Sequence, residues 1–402
     1  VHSAARFADS VGVNAHVASP RYDLSFEVFD ELLGELGVKH IRDELRPSNR
    51  IDRWAHLFSA HGIRSTMLVS PHTNSVPEMM RYISLLGHEK LAAIEGQNEG
   101  NSDWFQSTKA AQNDWRKTVI EYQQAVFGAL RSRYTAEELP VLSPTVLNWR
   151  AADMALLAPA APYCDVLAIH AYVQDAQEPE TTDSNASLDW YIRRLRDPFK
   201  PGAPIQATEM GYNNIVQPLG DGISEEVAAI YIPRMLLHNF AKGIDRTFLY
   251  EFFNGGPSST DWESNWGLVR FDNTPKPAFY AVRDLLAAMS ADASGSSSAP
   301  VTPLARDDVS SSSNDVLFVQ FNRDDGRLVV ALWRNLALWN QALAQARLPV
   351  KPVSVKIAIP HGMSARLRAV PSGDGWINIP TAESTIELMV DEKIQLVELG
   401  AA

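Results

Sequence analysis

Two glutamates carry the strongest chemical signal in this chain. Glu99 closes the run Leu91-Ala92-Ala93-Ile94-Glu95-Gly96-Gln97-Asn98-Glu99, and Glu209 closes Pro204-Ile205-Gln206-Ala207-Thr208-Glu209. A carboxylate at the mouth of a buried strand is expensive to desolvate, so its presence there calls for a function. Two of them, about 110 positions apart, suit a reaction that needs a proton donor and a nucleophile on either side of one bond. Cleavage of a glycosidic bond is such a reaction. Its acid must be protonated at working pH, through burial or through repulsion by the other carboxylate. Its nucleophile must stay ionised, and a nearby arginine such as Arg42 would keep it so.

Strands and helices must place these groups. Short apolar runs mark eight strands: 11–16, 39–43, 65–70, 92–96, 141–145, 166–171, 204–209 and 246–252. Helical periodicity lies between them. Phe26 to Leu36 and Val119 to Leu130 repeat apolar residues at spacings of three and four. Gly37 and Gly62 fall where a helix would end before the next strand. Eight strands alternating with helices over roughly 280 residues is the arithmetic of an α/β fold of the (β/α)8 TIM-barrel type. A doubly wound sheet is the alternative, but it would carry a glycine-rich turn after its first strand. Here that strand runs into Asn14-Ala15-His16.

A (β/α)8 barrel works at the C-terminal ends of its strands. Read in that frame, one rim collects Asn14 and His16, Arg42, Ser70 and His72, Asn98 and Glu99, His170 and Tyr172, Glu209, and Glu251 with Asn254. Ten tryptophans are many for this length, and Trp104, Trp149, Trp262 and Trp266 all follow strand ends. Flat aromatic faces suit the apolar faces of sugars. Glu95, on the fourth strand itself, reads as a structural ion-pair partner. His16, His72 and His170 on one rim raise the question of a metal. A zinc hydrolase in a barrel wants a tight His-x-His or a bridging Lys or Asp, and Asn14-Ala15-His16 lacks the first histidine. No metal and no cofactor are therefore expected.

The 402 residues exceed one ordinary core. Near 290 the character changes. Ser290 to Ser298 has linker composition, and after it come short runs of period-two alternation, at 316–321, 327–333, 353–357, 365–370 and 394–399. They point to a C-terminal β-sandwich domain of about 100 residues. The expected division is 1–290 for the barrel and 291–402 for the sandwich, whose simplest role is to brace the barrel's side.

Composition is that of a globular protein, 45% hydrophobic and 21% charged. A net charge of -12 argues against nucleic acid as partner and allows a neutral or cationic sugar. No apolar run approaches the ~18 residues of a membrane helix, so no membrane partner is expected. Cys164 is the single cysteine, so no intrachain disulfide can form. No signal-peptide pattern follows Val1: either a leader has been removed, which would make the protein secreted or periplasmic as expected here, or the sequence was trimmed. Asn185-Ala186-Ser187 matches a glycosylation acceptor, a match short enough to arise by chance. Oligomeric state is not legible.

On these residues the chain resembles clan GH-A of the retaining glycoside hydrolases, over most of 11–290. The specific element is Asn98-Glu99 after strand four joined to a lone Glu209 ending strand seven. The resemblance implies Glu99 as acid/base and Glu209 as nucleophile. It implies Asn98 on the sugar 2-hydroxyl, Arg42 supporting the nucleophile, and Tyr172 or His170 hydrogen-bonded to it. Gly267 to Ala278 looks like the clan's segment after strand eight, and the C-terminal sandwich looks most like family 39 and its relatives. Many clan members end strand eight with Trp, where this chain reads Tyr250-Glu251-Phe252. The expectation is hydrolysis of a polysaccharide or oligosaccharide by double displacement. A transglycosylase with the same residues and a non-catalytic glycan-binding barrel are the rivals, with a metal hydrolase behind them. Family 39 relatives act on several sugars, so the sugar, its linkage and endo or exo cleavage stay open.

Overall fold

The structure is a computed structural model that describes residues 1–46, 50–182, 187–290, 300–371, 375–381 and 384–401. The linker expected from 291 to 298, and with it the division at 290/291, falls outside the described residues, as does Asn185 of the acceptor tripeptide.

Eight parallel strands form the barrel. They are β1 (Val11–Asn14), β2 (His40–Glu44), β3 (Arg64–Leu68), β4 (Leu91–Glu95), β5 (Val141–Leu142), β6 (Leu167–His170), β7 (Ile205–Met210) and β8 (Arg246–Leu249). Their order is β5-β4-β3-β2-β1-β8-β7-β6, and a bridge from Leu142 to Val166 closes the ring between β5 and β6. Each overlaps a run marked in the sequence, and four of them run one residue beyond it, at Glu44, Arg64, Leu91 and Met210. Parallel strands buried on both faces need apolar residues almost throughout, and Val13, Ile41, Met67, Ile94, Ile169 and Ala207 are all buried.

Helices lie between the strands, with Phe26–Leu36 and Trp115–Arg131 covering the two stretches of helical periodicity. Gly37 and Gly62 cap their helices in the left-handed conformation, φ 81° and 69°, a backbone state that glycine adopts without strain. After β5 the expected helix is instead a 3-10 run, Asn148–Tyr163, with Pro159 and Pro162 inside it. Proline lacks the amide hydrogen an α-helix needs and crowds the preceding turn.

The C-terminal part is a sandwich of antiparallel sheets. One sheet carries Val316–Asn322, Leu328–Arg334, Ile394–Ala401, Met363–Val370 and Ile377–Ile379, and the other Val309–Ser311, Val353–Ala358 and Thr385–Val390. The alternation seen in the sequence turns Leu328, Val330 and Leu332 into a core shared with Val355, Ile357, Val397 and Leu399. A short strand at the chain's beginning, His2–Ser3, joins the edge of the first sheet beside Phe321 and Asn322. The first residues of the barrel part are thus stitched to the sandwich.

Barrel and sandwich meet at buried polar contacts. Arg234, on the helix Glu225–Ala241, pairs with Glu180 from the loop after β6 (Nη2 to Oε2, 2.5 Å). Glu180 also accepts the indole N–H of Trp333 from the sandwich at 2.7 Å. Leu219, in the loop after β7, donates its N–H to the carbonyl of Gln341. Two loops that leave the barrel rim are therefore held from the sandwich side.

Candidate active site

Arg42 is the hub of the rim. It sits in β2, side chain inward, because the strands beside it present groups for every edge of its guanidinium. Nε and Nη2 meet the two carboxylate oxygens of Glu95 at 2.6 and 2.9 Å. Nη1 donates to Glu209 Oε1 at 2.6 Å and to Asn14 Oδ1 at 2.9 Å, and Nη2 also reaches Asn98 Oδ1 at 2.7 Å. Its partners in the fold are thus Glu95 and Glu209, rather than the adjacent Asp43 and Glu44. A planar fork answered on each side is fixed in place. Glu95, fully buried, also accepts the hydroxyl of Thr208, as a structural ion-pair partner would.

Glu209 is buried against two hydrogen-bond donors and an imidazole. Beyond Arg42, the phenol of Tyr172 donates to Oε2 at 2.9 Å, and His170 Nδ1 stands 3.6 Å from the same oxygen. Burial opposes the charge, but the His170 and Arg42 cations and these hydrogen bonds prevail, and the carboxyl is held below its ordinary range. Tyr172 is driven the other way, well above the usual phenol value, by burial and by Glu209, so it remains a donor.

Glu99 lies four residues beyond the end of β4. Its backbone is left-handed, φ 42°, an uncommon state for a residue with a side chain and one that collects at functional sites. Thr145, after β5, holds it there. Its hydroxyl accepts the N–H of Glu99 at 2.9 Å, and its carbonyl accepts the N–H of Gly100. The carboxyl then meets His170 Nδ1 at 2.9 Å. Burial works against an imidazolium at His170, yet Glu209 and Glu99 together raise its pKa.

Single ligand atoms of Glu99, His170 and Glu209 lie within 4.8 Å of one another, the one such group among the described residues close enough to hold a metal ion. The donor set suits a cation poorly. Arg42 already presses a positive charge on Glu209 Oε1, and Tyr172 puts a proton on Oε2.

Above these groups opens a cleft of about 520 Å³. Asn98, Glu99, Glu209 and Tyr172 reach it from below, while Trp149, Trp262 and Trp266 line its walls with Tyr250. Trp266 packs edge-on against Tyr172, Tyr250 and Trp262, at centroid distances of 5.1, 6.1 and 5.3 Å. Trp149 is 70% exposed and free to meet a ligand. Arg42 and His170 form the layer beneath.

Other residues marked in the sequence lie apart. His72 and Trp104 pack on each other at 5.5 Å, and neither lines the cleft. His16 pairs with Glu251 at 3.1 Å, beside the cleft rather than in its wall. Burial raises the pKa of Glu251 against the pull of His16. Among the lining residues that the sequence reading did not assign to the site are Tyr250, Asn213, Asp221 and Glu263. Tyr250 had a signal, as an aromatic directly after the apolar Phe248-Leu249 of the eighth run. The others stand in loops whose path no periodicity fixes.

No protein-family model matches the chain, and no curated protein sequence does. Solved structures do. A family 39 glycoside hydrolase from Bacteroides cellulosilyticus WH2 superposes with a TM-score of 0.64 at 13% identity, over 99% of this chain and 82% of that one. A glucosidase from Croceicoccus marinus gives 0.59 at 10% identity, over 93% and 91%. A family 51 arabinofuranosidase from Xanthomonas axonopodis pv. citri gives 0.55 at 11% identity, over 99% and 96%. At such identities the likeness is one of fold, and it covers barrel and sandwich together. The chain has the architecture of these glycoside hydrolases.

Proposed function

We propose that this protein is a retaining glycoside hydrolase acting on a polysaccharide or oligosaccharide. Glu209 is the nucleophile. It attacks the anomeric carbon, the glycosidic bond breaks, and a glycosyl ester forms on its carboxylate. Glu99 gives its proton to the departing oxygen. With the negative charge of Glu209 consumed in the ester, Glu99 then takes a proton from water, whose oxygen displaces Glu209 and releases the sugar.

The observation that carries this reading is the unequal treatment of two close carboxyls. Glu209 is clamped ionised by Arg42 and Tyr172, whereas Glu99 faces only His170 and the open cleft. Retention calls for carboxyl groups roughly 5–5.5 Å apart and inversion for roughly 6.5–9.5 Å. Carboxylate oxygens of Glu99 and Glu209 within 4.8 Å support the shorter class. Asn98 is placed for a sugar hydroxyl, since Arg42 holds its Oδ1 and leaves the amide NH2 as donor. Trp149, Trp262 and Trp266 supply stacking faces.

The test is hydrolysis of a panel of aryl glycosides and polysaccharides by wild type and Glu209→Ala. Turnover that vanishes in the variant and returns with added azide, as a glycosyl azide, supports the assignment. Turnover untouched by Glu209→Ala refutes it. Products longer than the substrate would instead mark a transglycosylase, binding without turnover a glycan-binding barrel, and loss of turnover with a chelator a metal enzyme.

A further inference from the structure

The lining of the cleft has one sign of charge. Besides Glu99 and Glu209 it includes Asp221 and Glu263, and among the described residues no lysine, arginine or histidine. Two cations lie below the floor, His170 taken up by Glu99 and Glu209, and Arg42 with Glu95 and Glu209 already upon it. Arg42 is the permanent charge. It has no edge left for a third carboxylate, since Asn14 and Asn98 take its remaining contacts.

The two added acids come from different loops. Asp221 follows β7 and is held by the backbone N–H of Asp175 at 3.2 Å. Glu263 follows β8, in the short turn Trp262–Ser264 between two of the tryptophans, and the charges acting on it are those of other carboxylates. Burial and the charges of Glu251, Asp261, Glu209 and Glu99 raise its pKa, so several carboxylates act on one another across the opening. In a cleft with low-dielectric walls such fields add rather than cancel.

We propose that Asp221 and Glu263 are charge-selecting residues, so that the cleft accepts neutral and amine-bearing glycans and rejects those carrying carboxylates, such as uronides. The inference rests on the reading of the cleft as a sugar site and deepens it. A neutral sugar offers hydroxyl donors to both carboxylates. A free amino group gains from the field. A uronate would bring a further negative charge to a wall that holds no counter-ion.

The experiment uses probes matched in linkage and ring configuration. β-1,4-Linked gluco-oligosaccharides, their C6-oxidised uronates and their 2-amino-2-deoxy counterparts are compared for binding by calorimetry and for turnover. Wild type should favour the neutral or amine-bearing member at least about tenfold, with the gap narrowing at high salt. Asp221→Asn with Glu263→Gln should shrink the preference over uronate severalfold; Asn keeps an acceptor for the Asp175 N–H. Uronate handled as well as its neutral match, or a preference unchanged in the double variant, overturns the proposal. The two readings fail separately. Charge discrimination in binding without turnover would leave the selectivity standing and remove the enzyme, while turnover without discrimination would do the reverse.

Discussion

His170 Nδ1 lies 2.9 Å from Glu99 Oε1, and the same nitrogen faces Glu209 Oε2 at 3.6 Å. One buried imidazole thus sits between the two carboxyls proposed to do the chemistry. Its pKa is raised, burial notwithstanding, because both carboxylates favour its charge. An imidazolium there favours the ionised form of Glu209. We predict that His170→Phe moves the acid limb of the kcat/KM profile upward. An unmoved limb would show that the charge of His170 is not felt by Glu209.

The acid limb should report Glu209. Its pKa is depressed, with Arg42 and His170 outweighing burial, and the proposed nucleophile works ionised. Activity should therefore persist to below the ordinary carboxylate range and be lost only as pH falls through the depressed value. Tyr172→Phe takes away one of the hydrogen bonds that favour the anion. Hydrogen bonds to charged groups contribute about 1.5–3 kcal/mol. The variant should lose about ten- to a hundredfold in kcat/KM and its acid limb should move up. A rate loss with the limb in place would give Tyr172 another role.

Glu99→Gln should separate the two halves of the reaction. Aryl glycosides with good leaving groups need no proton to depart, so the ester on Glu209 still forms. Its hydrolysis then lacks a base. A burst of phenol followed by slow turnover is the expected stopped-flow trace. Equal loss on good and poor leaving groups would remove Glu99 from the acid role.

Much of this site could be read from one strand motif at a time, because the barrel puts every strand end on one rim. Glu99, Glu209, Arg42 and Asn98 follow from that rule, and they do converge. The rule says nothing of how far a loop travels. His72 and Trp104 also stand after strand ends, yet they pair with each other outside the cleft. Asp221 and Glu263 line it from long loops with no periodicity to betray them. Nor could the sequence show that Glu180, Arg234 and Trp333 meet, since the three lie up to 153 positions apart.

That last contact lends itself to a stability test. Arg234 is fully buried, and Glu180 holds it by two N–H bonds while accepting from Trp333. Removing one partner strands a buried charge, a loss of about 3–5 kcal/mol. Arg234→Met should show it in urea unfolding, and adding Glu180→Leu should recover part of it. A single variant as stable as wild type would mean the pair adds nothing to the join between barrel and sandwich.

Asp43 ties stability to pH in a way that can be signed in advance. It neighbours Arg42 in β2, and its carboxylate accepts the indole N–H of Trp54 at 2.8 Å and the N–H groups of Val17 and Glu44. Burial nonetheless raises its pKa from 3.8 to about 6, against the pull of His16 and those donors. A group whose folded pKa exceeds its unfolded value binds its proton more tightly in the native state. Its contribution is therefore complete below about pH 4 and is lost as pH rises through about 6. A shift of about two units corresponds to roughly 2–3 kcal/mol. Unfolding free energy measured from pH 4.5 to 7.5 should show that decline in wild type, and Asp43→Asn should flatten it because the neutral amide has no proton to lose. The same decline in both proteins would place the titration on another group.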